Sequence, residues 1–217
     1  NPLLFAAAVN ALNVFGSRHS SPSTATRASD PARSLATSIA SRIRFFNQLL
    51  PKVQALAGVE AATLSDGLPA AGNGTVAIQV AGHSYARDVD YPVIREGIVT
   101  PGYFQTFQAR ILRGREFSDG DQLGQQMVAL VNDSFARTYF GGADPIGRQI
   151  KKGRAGSKEP WLTVVGLVPD MLMEGFGNTT ASPAGCYIPI AQSDVGGMVA
   201  IAARTRGGSS AAAAALR

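Results

Sequence analysis

Apolar side chains recur at steps of three or four residues between Asp30 and Ala57: Leu35, Ile39, Ile43, Phe46, Leu50, Val53 and Ala57. That is the period of one helix face. A stripe this long has to be covered by another apolar surface, so a sheet is expected to lie under it. Asp30-Pro31 sets the start, with Asp as N-cap and Pro at the first helical position. Gly58 supplies the stop. Pro51 lies inside the stripe and predicts a kink or a restart, because its ring clashes with the preceding turn.

The flanking segments read as short strands. Leu3 to Phe15 is apolar with weak alternation, Ser17 to Ala28 is a polar loop, and Val59 to Leu64 follows the helix. From Asp66 onward turn signals come thickly. Thr75 to Val80 alternates, and Val89 to Val99 holds one or two strands broken at Pro92. Thr100-Pro101 repeats the cap-plus-proline signal, with Thr100 as N-cap, and opens a short helix through Phe107, followed by a short strand over Arg110 to Leu112 and a polar loop over Ser118 to Gln125. Met127 to Val131 is a buried strand by its continuous apolar character. Asn132 caps a helix that ends at Gly141-Gly142. Gln149 to Lys152 and Trp161 to Val168 form a hairpin, Tyr187 to Ile190 and Met198 to Arg204 are strands, and Ser209 or Ser210 caps an Ala-rich final helix. The fold class is α+β. A split βαββαβ-like subdomain, its last strand absent, takes residues 1–66 plus 195–217, and a β-rich lobe of residues 67–194 is inserted into it.

Chemistry is sparse. Of 217 residues, 45% are hydrophobic, enough for a core, and 16% are charged, below the usual quarter. The net charge of +5 is scattered except at Arg148, Lys151, Lys152, Arg154 and Lys158. No aromatic residues interleave with these charges as a single-strand nucleic-acid site needs, so they read as a solvated hairpin and nucleic acid is not a partner. Cys186 is the sole cysteine and reads as a small buried hydrophobe. His19 and His83 sit in turns, with no nucleophile spaced to pair with either, so no enzyme is expected. Ser118-Asp119-Gly120-Asp121, with Asp133 beyond, has the oxygen density of a cation loop but lacks the acidic twelfth position, and reads as an Asx-type turn. No Gly-Lys-Ser/Thr phosphate loop occurs, and no cofactor or metal is expected. Asn73 and Asn178 match a glycosylation acceptor pattern and read as plain loop residues. No apolar run reaches the ~18 residues that span a bilayer, and Leu3 to Val9 is too short for a signal peptide.

One ordered series remains: Thr100-Pro101-Gly102-Tyr103-Phe104, Leu112-Arg113-Gly114-Arg115-Glu116-Phe117, Val131-Asn132-Asp133-Ser134-Phe135-Ala136, Asp144-Pro145-Ile146-Gly147, Leu162 to Val168, and Tyr187-Ile188-Pro189. In this order it resembles the extracytoplasmic core domain of MacB-type and FtsX-like ABC-transporter permeases. The resemblance covers roughly the last three-quarters of the chain. It implies a periplasmic or extracellular domain of an inner-membrane protein, cut just inside two membrane anchors, with residues 1–66 plus 195–217 nearest the membrane. It implies a non-enzymatic role coupling ATP-driven transmembrane motion to export or to a periplasmic partner. The implied partners are a cytoplasmic ABC ATPase subunit acting through membrane helices, and another permease protomer or a periplasmic protein. It also implies that Tyr103, Phe104 and Phe107 pack the short helix, that Gly114 and Gly147 allow tight turns, that Asn132 caps its helix and that Pro189 ends a pairing. Similar permeases carry a polar, basic loop after Asp170. Here the loop reads Met171, Leu172, Met173, Glu174, Gly175, Phe176. Its apolar members Met171, Leu172, Met173 and Phe176 are a candidate partner contact, and a cover for nearby core is the equal alternative. The reading from a different class is a stand-alone soluble protein binding a small ligand or peptide in an apolar pocket.

Overall fold

The computed structural model describes residues 3–10, 31–175, 183–195 and 198–206. In chain order the elements are β1 (Leu3–Asn10), α1 (Pro31–Gln54), β2 (Val59–Ser65), β3 (Gly74–Val80), β4 (Val93–Val99), α2 (Tyr103–Thr106), β5 (Arg113–Gly114), β6 (Val128–Asn132), α3 (Asp133–Phe140), β7 (Gln149–Lys152), β8 (Trp161–Val168), β9 (Gly185–Pro189) and β10 (Met198–Thr205). All strands belong to one mixed sheet.

At one end of the sheet the order is β1-β10-β2. β10 lies antiparallel between the other two, with Leu3 opposite Thr205 and Ile201 opposite both Ala7 and Leu64. This terminal sheet carries α1. Phe46 and Val53 are buried with Ala62, Leu64, Val199, Ile201 and Ala203, while Leu49 and Leu50 pack at the margin. The stripe is therefore real, but its centre is narrower than its period suggests. Ile43 is only half-buried and Ala57 is exposed, and the side chains of Leu35 and Ile39 lie outside the described set. Pro51 neither ends nor restarts the helix, which runs on to Gln54. Its ring is exposed and only the last turn follows it, so the one i→i−4 bond that its missing N–H forfeits is lost at the end of the helix.

The remaining strands close on themselves. β4 pairs β3, β3 pairs β7, β7 pairs β8, β8 pairs β6, β6 pairs β9, and β9 returns to β4 in parallel. The result is a six-stranded barrel, a closure that removes open edges. Alternate residues point inward: Ile78 and Val80, Ile94, Ile150, Leu162 and Val164, Ala129 and Val131, Cys186 and Ile188. Phe135, Ala136 and Phe140 of α3 pack into the same core. The β6–β8 register shifts between Ala129 and Leu130, and β5 pairs β8 beside that shift. Gly114 is required in β5, since it holds φ +70 and a Cβ there would strike the Val165 carbonyl.

The outward face of β6 and β9 is covered by α2, whose Tyr103 and Phe104 pack with Leu130, Phe117, Val168 and Tyr187. Phe107 joins at the edge of that cluster. Three local expectations move. The short strand is Arg113–Gly114, not Arg110 to Leu112, because Leu112 already donates its N–H to Leu167 before regular pairing begins. A 3-10 turn at Asp88–Asp90 precedes Pro92, leaving a single strand after it. The N-cap of α2 is Gly102 rather than Thr100. Thr100 Oγ1 instead accepts from Leu64 N at 2.9 Å and pairs with Thr63 Oγ1 at 2.9 Å, while the Glu116 carboxylate takes the N–H groups of Gly102 and Phe104. Burial pushes the Glu116 carboxyl up, against those two hydrogen bonds. Asn132 caps α3 as expected: its Oδ1 accepts from Phe135 N at 2.9 Å and Gly141 closes the helix in the left-handed conformation.

Candidate partner-contact site

The loop after β8 does not stand off the surface. It runs alongside the crossover from β2 to β3, where Ala70 N donates to Leu172 O at 2.7 Å and Asn73 N donates to Met173 O at 2.8 Å. These bonds seat the loop on the crossover, with Met173 and Glu174 turned in and Leu172 turned out. Met173 is 4% exposed, packs in the α2 core and fits where Gly185 lacks a Cβ. Met171 packs against the same core. Leu172 points away and is 53% exposed. Phe176 lies outside the described residues. Of the candidate contact residues, Met173 is thus built into the core and Leu172 is the one presented to solvent.

Beneath this loop lies a buried polar cluster that the sequence did not reveal. Glu174 is buried with its Oε1 4.0 Å from Arg95 Nε, and Arg95 Nη1 donates to Asn73 O at 2.9 Å. The Asn73 side chain lies against Gly67 and Gly97, so its amide is enclosed rather than offered for glycosylation. On the barrel side Lys152 pairs with Glu96 at 2.7 Å. Asp66, at the end of β2, donates its N–H to Ile98 O and accepts from Ile98 N at 2.7 Å. Burial, with Glu96 nearby, raises the Asp66 carboxyl from 3.8 to about 6.

The other sequence candidates take structural positions. Asp121 accepts two bonds from Arg115, at 2.7 and 2.8 Å, and one from Ser118 N. The Arg115 guanidinium holds its carboxyl below the usual range. Asp133 pairs with Arg137 one turn on. No group of acidic, His or Cys side chains placed to hold a metal ion occurs among the described residues. In the basic hairpin Lys152 is committed to Glu96, Arg148 lies over Phe140, and Lys151 lies over Trp161. Cys186 is fully buried in the barrel, and burial pushes its thiol up. His83 follows the exposed turn at Gly82. An open groove of about 540 Å³ runs between α1 (Asn47, Leu50, Pro51, Gln54) and the segments Thr100–Gly102 and Asp119–Gln122.

The family model of the MacB-like periplasmic core domain matches residues 6–217. The chain belongs to that family. No curated protein matches the sequence. Solved structures share the fold, two of them as follows. One is the periplasmic region of MacB from Actinobacillus actinomycetemcomitans, with a TM-score of 0.55 and 15% identity over 80% of this chain and 70% of that one. The other is the extracellular domain of the noncanonic ABC-type transporter YknZ from Gram-positive bacteria, with a TM-score of 0.52 and 15% identity over 79% and 78%. This MacB-like domain is therefore of the kind carried by ABC-transporter permeases, and its homologues are periplasmic regions of such proteins. Among the described residues no helix is long and apolar enough to cross a membrane.

Three residues that matter to the joint between barrel and terminal sheet went unnoticed in the sequence: Arg42, Asp66 and Gln192. Only Asp66 carried a signal, as an acidic residue directly before a glycine-rich turn.

Proposed function

We propose that this chain is the non-enzymatic extracytoplasmic domain of an ABC-transporter permease subunit. Residues 1–66 plus 195–217 form its membrane-proximal part, and residues 67–194 form an outer lobe. A cytoplasmic ATPase subunit moves the membrane helices on either side, and the domain carries that motion outward to promote export or to press on a periplasmic partner. The observation that carries this reading is the pairing of β1 with β10 along its whole length, Leu3 opposite Thr205 and Asn10 opposite Met198. Leu3 and Thr205 therefore lie together at one end of the terminal sheet, which suits a domain inserted between two membrane helices. Family membership favours this over a free-standing binding protein, and the groove beside α1, open and of mixed polar and apolar lining, is a poor match to an enclosed apolar ligand pocket.

The contact offered to another permease protomer or a periplasmic protein is the Leu172 face of the loop. The test uses the intact permease with its ATPase. Replacing residues 1–217 by a short linker is expected to abolish transport while ATP hydrolysis by the membranes persists. Transport that continues without the domain overturns the reading.

A further inference from the structure

The segment from Ile190 to Val195 is fastened at both ends. It leaves the barrel at the end of β9 and enters the terminal sheet at β10. On the barrel side Gln192 is buried: its Oε1 accepts from Val128 N at 3.0 Å, and its Nε2 donates to the carbonyls of Gln126 at 2.8 Å and Gln122 at 3.3 Å. Leu123 N adds a bond to Ala191 O at 3.1 Å. On the other side Arg42, in the middle of α1, donates to Val195 O at 2.9 Å and pairs with Asp194. The Arg42 side chain is 13% exposed and that of Asp194 40%, so the Val195 carbonyl is the better shielded of the two anchors. Ile190 and Val195 are buried in the same apolar cluster as Phe46 and Val53 of α1.

The direct link between the two parts is gathered at the end of β2. β2 meets β4 at one described pair, Ser65 opposite Val99. Around it Asp66 N donates to Ile98 O at 3.0 Å, Thr100 N donates to Leu64 O at 2.9 Å, and Thr100 Oγ1 takes the N–H of Leu64. A joint gathered along one strand end leaves rotation about that line, and a second attachment away from it fixes the angle. We infer that residues 190–195 are a strap that locks the barrel to α1, with Arg42 and Gln192 as its two fasteners. Through it the long helix and the barrel turn together. Arg42 suits the task because its planar guanidinium engages a carbonyl and a carboxylate at once, which a lysine ammonium does less rigidly.

The inference names a route for the motion proposed above, but its test needs only this chain, so either can fail alone. Spin labels are placed on introduced cysteines at the exposed positions Gln48 of α1 and Lys158 of the barrel hairpin. Cys186, fully buried, stays unlabelled. The wild-type distance distribution is expected to be narrow. Arg42→Ala and Gln192→Ala should each roughly double its width, as a joint freed of one restraint samples more orientations. Arg42→Lys should fall between. Arg42→Asp and Asp194→Arg should each broaden the distribution, and together they should narrow it again, a rescue that general loosening of the fold does not produce. Arg113→Ala, which breaks only the exposed pair with Asp144, serves as the control and should leave the width unchanged. Unchanged widths in folded Arg42→Ala and Gln192→Ala overturn the strap. Should Gln192→Ala fail to fold, the charge exchange decides: no narrowing in the double variant overturns it.

Discussion

Asn132 shows how much one side chain can hold. Its Oδ1 caps α3 through Phe135 N and also accepts from Gly185 N at 2.9 Å, while its Nδ2 donates to Pro183 O at 2.7 Å. Helix start and strand β9 thus hang on the same fully buried amide. Asn132→Ala is expected to cost about 2–4 kcal/mol by urea unfolding, because it removes a cap and strands two buried N–H groups. Asn132→Asp keeps the capping acceptor but turns a buried carboxylate oxygen toward the Pro183 carbonyl, so it should cost a comparable amount. Asp66 makes a pH prediction. Its carboxyl titrates near 6 when folded, against 3.8 ordinarily, so the folded state holds the proton more tightly. The contribution is intact below about pH 4, falls away as pH rises through 6, and is then about 2–3 kcal/mol lower. Asp66→Asn should flatten that slope between pH 4 and 6. A slope that survives in the variant would assign it elsewhere. The cap at Asn132 was legible because capping is local, an acceptor two or three residues before its donors. The cap of α2 was misread at Thr100 because its acceptor, Glu116, comes from a different turn of the chain, and nothing local marks such a partner.

Elements were legible where their pattern is periodic. The stripe on α1 gave the helix and its buried face, but periodicity does not say where along a helix the sheet beneath it ends. The structure puts the anchors at Phe46 and Val53, so Phe46→Ala should cost about 3–5 kcal/mol, and Ile43→Asp, at a half-buried site, markedly less. Equal losses would mean that the helix packs along its whole stripe. Barrel strands were placed to within a few residues, yet their closure was not foreseen, because the parallel pairing of β4 with β9 joins residues ninety apart and leaves no mark in either strand. The loop after Asp170 separates in the same physical way. Met173 turns inward and Leu172 outward because the Asn73 and Ala70 bonds fix the loop against the crossover, and no spacing within the loop announces those bonds. Met173→Ala is expected to cost about 2–4 kcal/mol and Leu172→Ser under about 0.5 kcal/mol, read as shifts in the unfolding midpoint. Leu172→Ser should nevertheless impair transport in the permease. A large loss of stability from Leu172→Ser would remove it as a contact.

At the scale of the molecule, the expectation of two parts and the pairings observed point to the same division, and we keep it as a proposal. What the sequence could not convey is the difference between the two kinds of sheet. In the barrel each strand has neighbours on both sides, so its backbone groups are spent internally. In the terminal sheet β10 is paired on both sides, but among the described residues β1 has a partner only through β10, along eight residues. An open strand of that length is a template for another. Any tendency of the isolated chain to stick to itself should therefore come from one border of one sheet. Sedimentation should show association that grows with concentration, and slowed amide exchange on dimerising should fall on Leu3–Asn10 while the barrel stays unchanged. Association that protects barrel amides instead would contradict it. Among the described residues the two parts thus differ in what they offer a second molecule: the barrel presents no open border, and the terminal sheet presents the outer border of β1.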